Sequence, residues 1–574
     1  MSFNLSFQKK VASALMATLL TTCCFLFNAT ATRADESTPK IVASVVCPSV
    51  DSVFTGAGRI ANAMKCDGLA EGARFLATSR GCFDVLDESR PFGYVLATDD
   101  NTVFPFFFFP VKDVEKNNEE ALNASIASLV KKIANDRIPQ ELIPDAGFFV
   151  DDVFVVTQQE FKERAQAIPQ NEYLDSIQKD SGVLLTVNVN LSALPKELIE
   201  AVSSLARQKL AESLPDDDEN KLKSVEDSLA NLSDLLNSIQ ALQYNLEVSS
   251  ESALVSTFKC AFVPDSKIAE HLQKTSNAAT RWNAISATPN TILVSVEAGE
   301  EYRAMGFDFD NIASIIHDNI NQGLDALADK PAEHEVAVKV AALFEQALLA
   351  QIKTPSYDRA LAITNEPLTL VCGSNCADPE SVKEGVKQLV EELAKKDENI
   401  SKGLSSEEIE EFQVTTFKIS LADIVKTPQF PLPTDKDLVA KIGVSSDSAL
   451  LFLGIDSENA DAQFKRIADA SKTREKSQYA LTIDYVQIAK LAKVFLKDNS
   501  GIHPIVKQIV DKFANAENVR TLVSNTYQDN TLTCQSILTK EFFGVCGDVV
   551  RTQLKKNLDK GDAGKDLDEL FEEE

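Results

Sequence analysis

The stretch RPFGYVLATDDNTVFPFFFFPVKD, residues 90–113, reads as two strands joined by a tight turn. The runs Phe92 to Thr98 and Thr102 to Phe109 carry Val, Thr and aromatic side chains that suit a pleated surface. Asp99-Asp100-Asn101 between them tolerates the left-handed backbone of a short hairpin turn, and a helix is predicted to open near Asp113. Three later segments are built the same way: Gln243 to Leu272, Asp358 to Leu393, and Asn518 to Leu538, where Asp529-Asn530-Thr531 repeats Asp100-Asn101-Thr102.

Working outward, the flanking elements recur in order. Strand Ile41 to Cys47 leads into helical spacing at Val50, Val53 and Phe54, as Met305 to Asp310 leads into Ile312, Ile315 and Ile316. Ala146-Gly-Phe-Phe-Val followed by Gln159-Glu-Phe-Lys-Glu-Arg matches Ser448-Ala-Leu-Leu-Phe-Leu-Gly followed by Ala462-Gln-Phe-Lys-Arg, and Leu185-Thr-Val-Asn matches Leu481-Thr-Ile-Asp. The predicted class is therefore α+β, internally duplicated, with antiparallel sheets built from β-hairpins and helices packed on one face. The predicted halves are 41–280 and 281–550. The second carries an insertion at about 397–441, with a charged helix start at Ser405-Ser-Glu-Glu and a strand from Phe412 to Leu421. Residues 559–574 read as an acidic disordered tail.

The N-terminus reads as an export signal. Lys9 and Lys10 precede the apolar stretch Val11 to Phe27, and Ala29-Thr30-Ala31 offers a small-x-small site, with cleavage after Ala31 or Ala34. Residues 1–31 are thus expected to be removed, leaving a secreted or periplasmic chain with no transmembrane segment. Eight cysteines follow, an even number that in an oxidising compartment favours disulfides: Cys66 with Cys82, Cys372 with Cys376, Cys534 with Cys546, and Cys47 with Cys260.

A formal charge of -29 excludes functions that rest on phosphate contacts, so no nucleic acid is expected as partner. The motifs GxSxG, HExxH and the Walker loop do not occur, His271, His317, His334 and His503 are scattered, and no acidic cluster follows the calcium-loop pattern. No catalytic, cofactor-binding or metal-binding residue is assigned. The run Phe106, Phe107, Phe108 and Phe109 breaks the alternation of a one-sided strand. It reads either as a strand buried on both faces or as an aromatic lining for an apolar ligand or partner.

With its Arg-Pro-hydrophobic-Thr-Asp series, its Pro110-Val111 and its acidic helix start at Asp113, the chain resembles uncharacterised secreted proteins of planctomycete-type bacteria. The resemblance carries no functional residue over. The expectation for function is an exported non-enzymatic scaffold or binding protein. The alternatives are a periplasmic carrier holding an apolar ligand between sheet and helices, and a hydrolase of unfamiliar type.

Overall fold

The computed structural model describes residues 39–66, 68–79, 86–99, 102–112, 146–174, 182–194, 237–300, 356–396, 404–420, 436–455, 457–476, 479–496 and 504–559, with scattered positions between 317 and 354. The export signal, Cys82, the segment from Met305 to Ile316 and the acidic stretch beyond Asp559 lie outside these residues. The chain divides into two compact units, Met1–Asn62 with Asp67–Val263, and Ala63–Cys66 with Pro264–Glu574.

The first unit is organised by strand β1 (Lys40–Cys47), followed by helices α1 (Val50–Ala63) and α2 (Leu69–Ser79). The opening stretch forms the hairpin of β2 (Phe92–Thr98) and β3 (Val103–Pro110), and a second hairpin joins β4 (Ala146–Val150) to β5 (Val153–Thr157). Short helices α3 (Lys162–Gln166) and α4 (Gln170–Leu174) come next, then β6 (Val183–Asn190) and the hairpin of β7 (Ile239–Val248) with β8 (Leu254–Phe262). Spatially the strands run β4-β5-β3-β2-β1-β6-β7-β8, every pair antiparallel. Strand β1 is central because both rows of its backbone N–H and C=O groups must be paired once it is buried. One side of β1 to β5 packs Val46, Val95, Phe104, Phe106, Phe108 and Phe148 against Phe161, Ile168 and Tyr173 of the α3–α4 region. Helix α1 is tied to the sheet by Ser52 Oγ donating to the Val183 carbonyl at 2.5 Å and Arg59 Nη1 donating to the Val248 carbonyl at 2.6 Å.

The second unit starts with α5 (Lys267–Ser276), whose Ser266 cap accepts from the Ala269 amide. Strand β9 (Ala279–Thr280), helix α6 (Asn283–Ser286) and β10 (Thr291–Glu300) follow. The hairpin of β11 (Ser356–Asn365) and β12 (Leu368–Asn375) leads into α7 (Pro379–Lys396). Hairpins β13 (Ser405–Ile409) with β14 (Phe412–Ser420) and β15 (Asp437–Val444) with β16 (Ser448–Gly454) precede α8 (Ser457–Ala470). The unit closes with β17 (Glu475–Lys476), β18 (Tyr479–Asp484), α9 (Tyr485–Leu496), α10 (Pro504–Ala514), the hairpin β19 (Arg520–Gln528) with β20 (Thr531–Leu538), and α11 (Lys540–Asp559). Asp529 and Asn530 at that last turn both take positive φ, 50° and 57°, as a two-residue turn between twisted strands requires. The sheet order is β13-β14-β15-β16-β12-β11-β10-β18-β19-β20, again antiparallel throughout, and β9 pairs with β17 apart from it.

Three expectations are corrected. The strands do not form duplicated α+β sheets with helices on one face: among the described residues eighteen strands lie in wide antiparallel sheet, eight from the first unit and ten from the second. Each hairpin presents an unpaired edge, and the next hairpin satisfies it instead of closing a small sheet of its own. Helices also occupy both faces of the second sheet. A Cβ at Gly373 would meet the Trp282 ring at 2.5 Å, one at Gly299 would meet Thr275 of α5 at 2.6 Å, and the register puts these glycines on opposite faces. Ser405-Ser-Glu-Glu is strand β13, not a helix start, because its backbone pairs with β14 and its side chains are exposed at an edge.

Candidate ligand-binding face

Alternation along β3 decides what the phenylalanine run does. Successive side chains point to opposite faces, so Phe106 and Phe108 enter the fully buried core while Phe107 and Phe109 stand on the other side, half-buried. The four rings therefore do not line one surface together. Direct register carries the row of Phe107 across the sheet: Val156, Phe107, Tyr94, Val45, Val187, Tyr244 and Phe258 are consecutive opposite partners on β5, β3, β2, β1, β6, β7 and β8. A shorter adjacent row holds Phe149, Phe154 and Phe109. Val111, Phe154 and Val156 are buried there, with Phe107, Phe109 and Phe149 packed against them. Ring pairs fix the geometry: Tyr94 to Phe107 at 5.0 Å tilted by 58°, Phe107 to Phe109 stacked at 6.5 Å, and Phe149 to Phe154 edge-on at 5.1 Å.

This side offers π faces and no charged group in either row. The turn beneath β4 and β5 is held by Arg90, whose two Nη atoms donate to the Asp152 carboxylate at 2.5 and 2.9 Å, and by Gln170 at 2.8 Å. The Arg90 hydrogen bonds hold the Asp152 carboxyl below the usual carboxylate range. The arrangement suits contact with an apolar or planar molecule through area and ring stacking.

Among the described residues no disulfide forms: Cys47, Cys66, Cys260, Cys372, Cys376, Cys534 and Cys546 are all unbridged. Sheet geometry gives the reason for two of the expected pairs. Cys47 and Cys260 sit on strands three positions apart in the sheet, roughly 14 Å, and Cys372 is separated from Cys376 along extended chain by roughly 13 Å, both beyond the ~7 Å limit for a bridge. Cys534 lies within β20 and Cys546 within α11, and Cys66 would have to reach Cys82 outside the described residues. Burial pushes the Cys47, Cys372, Cys376 and Cys546 thiols up, and the Cys534 thiol up to about 11, which keeps them protonated and poor as nucleophiles.

The most developed polar cluster was not visible in the sequence. Thr280 Oγ1 and the Arg281 amide donate to the Asp358 carboxylate at 2.6 and 3.1 Å, and Trp282 Nε1 donates to the Asp358 carbonyl at 3.1 Å. The buried Arg281 guanidinium reaches Ser448 Oγ at 2.8 Å, Asp447 at 2.7 Å and Glu411 at 3.1 Å. Burial pushes the Asp358 carboxyl up from its ordinary value. These groups bind one another and not an open space, so the cluster staples β9 and β11 to the β13–β14 and β15–β16 turns. Its hydrogen bonds join residues 76 to 167 apart in sequence, a distance no spacing motif spans. Among the described residues no group of His, Cys, Asp and Glu could hold a metal ion, and no helix is long and apolar enough to cross a membrane. Comparison of the chain with protein-family models, with curated proteins and with solved structures found no match.

Proposed function

We propose that the protein is an exported, non-enzymatic binding protein that uses the aromatic side of its first sheet to hold an apolar molecule. The reading rests on one observation: Tyr94, Phe107, Phe109 and Phe149 stay half-buried beside the buried Phe154 and Val156, on the side of the sheet opposite the closed core. Rings that only filled a core would be expected to reach the full burial of Phe104, Phe106 and Phe108. Export is supported by Lys9, Lys10, the apolar run to Phe27 and the Ala29-Thr30-Ala31 site.

Native mass spectrometry of freshly and mildly purified protein tests this. A mass excess that disappears on denaturation, and that is reduced in Phe107→Ala, is the expected result. A clean apo mass together with no uptake of the apolar fluorophore 1-anilinonaphthalene-8-sulfonate would remove the basis for a binding face.

A further inference from the structure

Helices α10 and α11 enclose an open groove of about 810 Å³, lined by Pro504, Lys507, Lys512, Val545, Asp548 and Thr552. Its charges are unevenly matched. Asp511 at the rim is paired with Lys493 at 2.8 Å and Asp548 is paired with Arg551, whereas among the described residues neither Lys507 nor Lys512 has an ion-pair partner, although both are half-buried. Two cations without counter-charge, in a chain whose formal charge is -29, set this groove apart from the acidic remainder. Its apolar lining is the buried Val545, the half-buried Ala516 and the exposed Pro504, and beside it Ile505 and Val506 on α10 are exposed by 39% and 44%. The site therefore fits a segment that is anionic and carries a few apolar anchors.

The chain supplies such a segment directly after α11. Residues 560–574, KGDAGKDLDELFEEE, place Leu567, Leu570 and Phe571 at i, i+3 and i+4 among Asp566, Asp568, Glu569 and Glu572 to Glu574. That spacing gathers the three apolar side chains on one face of a helix and leaves the carboxylates on the rest, the pattern by which an amphipathic segment enters a groove. Reach is sufficient. Thr552 lies seven residues before the end of α11, about 10 Å along the helix, and residues 560–567 span up to roughly 27 Å when extended, enough to turn back.

We propose that residues 566–574 dock intramolecularly in the α10–α11 groove, with Leu567, Leu570 and Phe571 on its apolar lining and the flanking carboxylates paired with Lys507 and Lys512. The groove is then an acceptor for acidic, leucine-anchored peptides that the chain's own segment keeps occupied.

Zero-length carbodiimide coupling on the full chain tests this, because amide bonds form only where an amine and a carboxylate already touch. The expected product links Lys507 or Lys512 to a carboxylate within 566–574, forms at a rate independent of protein concentration, and falls at least fivefold in Leu570→Ala/Phe571→Ala or in 0.5 M NaCl. Those substitutions lie beyond the last described helix, and circular dichroism checks that the fold is intact. Coupling scattered over many lysines, coupling only between two copies, or coupling unchanged by the Leu570→Ala/Phe571→Ala variant would each overturn the proposal.

Discussion

The two sheets of this protein manage their outer edges differently. The first ends on β4, a five-residue strand of small and aromatic residues, Ala146-Gly-Phe-Phe-Val, with β5 as its neighbour among the described residues. The second continues past β15 with the extra hairpin β13–β14, and its outermost strand exposes Ser405, Ser406, Glu407 and Glu408. A charged, short outer strand resists pairing with another chain, so the added hairpin blunts the edge of the second sheet. The addition is anchored by Lys441 of β15. This side chain is 2% exposed, bonded to Glu407 at 3.0 Å and Asp461 at 2.7 Å, and lies over the Phe464 ring. One pairing scheme, a central strand with hairpins added on either side, thus accepts two more strands where a buried cation can secure them.

The sharpest test of that contrast concerns the two sides of the first sheet. Phe106→Ala, from the closed core, is expected to cost about 3–5 kcal/mol in urea denaturation, and Phe107→Ala, from the half-buried side, no more than about 2 kcal/mol. Equal costs would mean that both sides are core and that the first sheet has no binding face. Next in size is the anchor of the second. Glu407→Gln with Asp461→Asn leaves the Lys441 ammonium buried and uncompensated and is expected to cost about 3 kcal/mol. Lys441→Met frees two carboxylates that water can reach and is expected to cost under about 1 kcal/mol. A lysine variant as damaging as the double acid variant would show that packing, not charge, holds the hairpin.

The smallest effect is a pH dependence at the first sheet's β4–β5 turn. Bonding to Arg90 holds folded Asp152 below the ordinary carboxylate value, so as pH falls through that value the unfolded chain binds its proton first. The stabilisation is present above about pH 4, the ordinary carboxylate range, and lost below it. Because the Asp152 side chain is half-exposed, the expected signature is a shallow drop in melting temperature on acidification that Asp152→Asn flattens. An acid limb unchanged in that variant would show the Arg90 clamp to be inert.

How much was legible depended on whether the signal was local. The β2–β3 hairpin and the Asp529-Asn530 turn were readable because turn chemistry and β-propensity act within a few residues. Strand β10 was not legible, although Thr291–Glu300 pairs with both β11 and β18, because those partners lie far along the chain and no turn signal joins it to either. The Phe106 to Phe109 run left open whether it is buried on both faces or forms an aromatic lining, because which face closes depends on α3 and α4, some fifty residues later. The polar staple of Arg281 and Asp358 left no local trace, since Ser448 Oγ approaches the guanidinium from a strand 167 residues away.

By itself the amino-acid order determined where strands begin and turn, the acidic balance of the surface, and the absence of familiar catalytic motifs, all properties set by neighbours in the chain. Tertiary structure alone decided that, among the described residues, hairpins join into eight- and ten-stranded sheets, helices flank the second sheet on both faces, and the cysteines stay apart. The reason is physical: an unpaired strand edge or a buried guanidinium is satisfied by whichever partner the folded chain brings within about 3 Å, and sequence spacing does not encode that proximity.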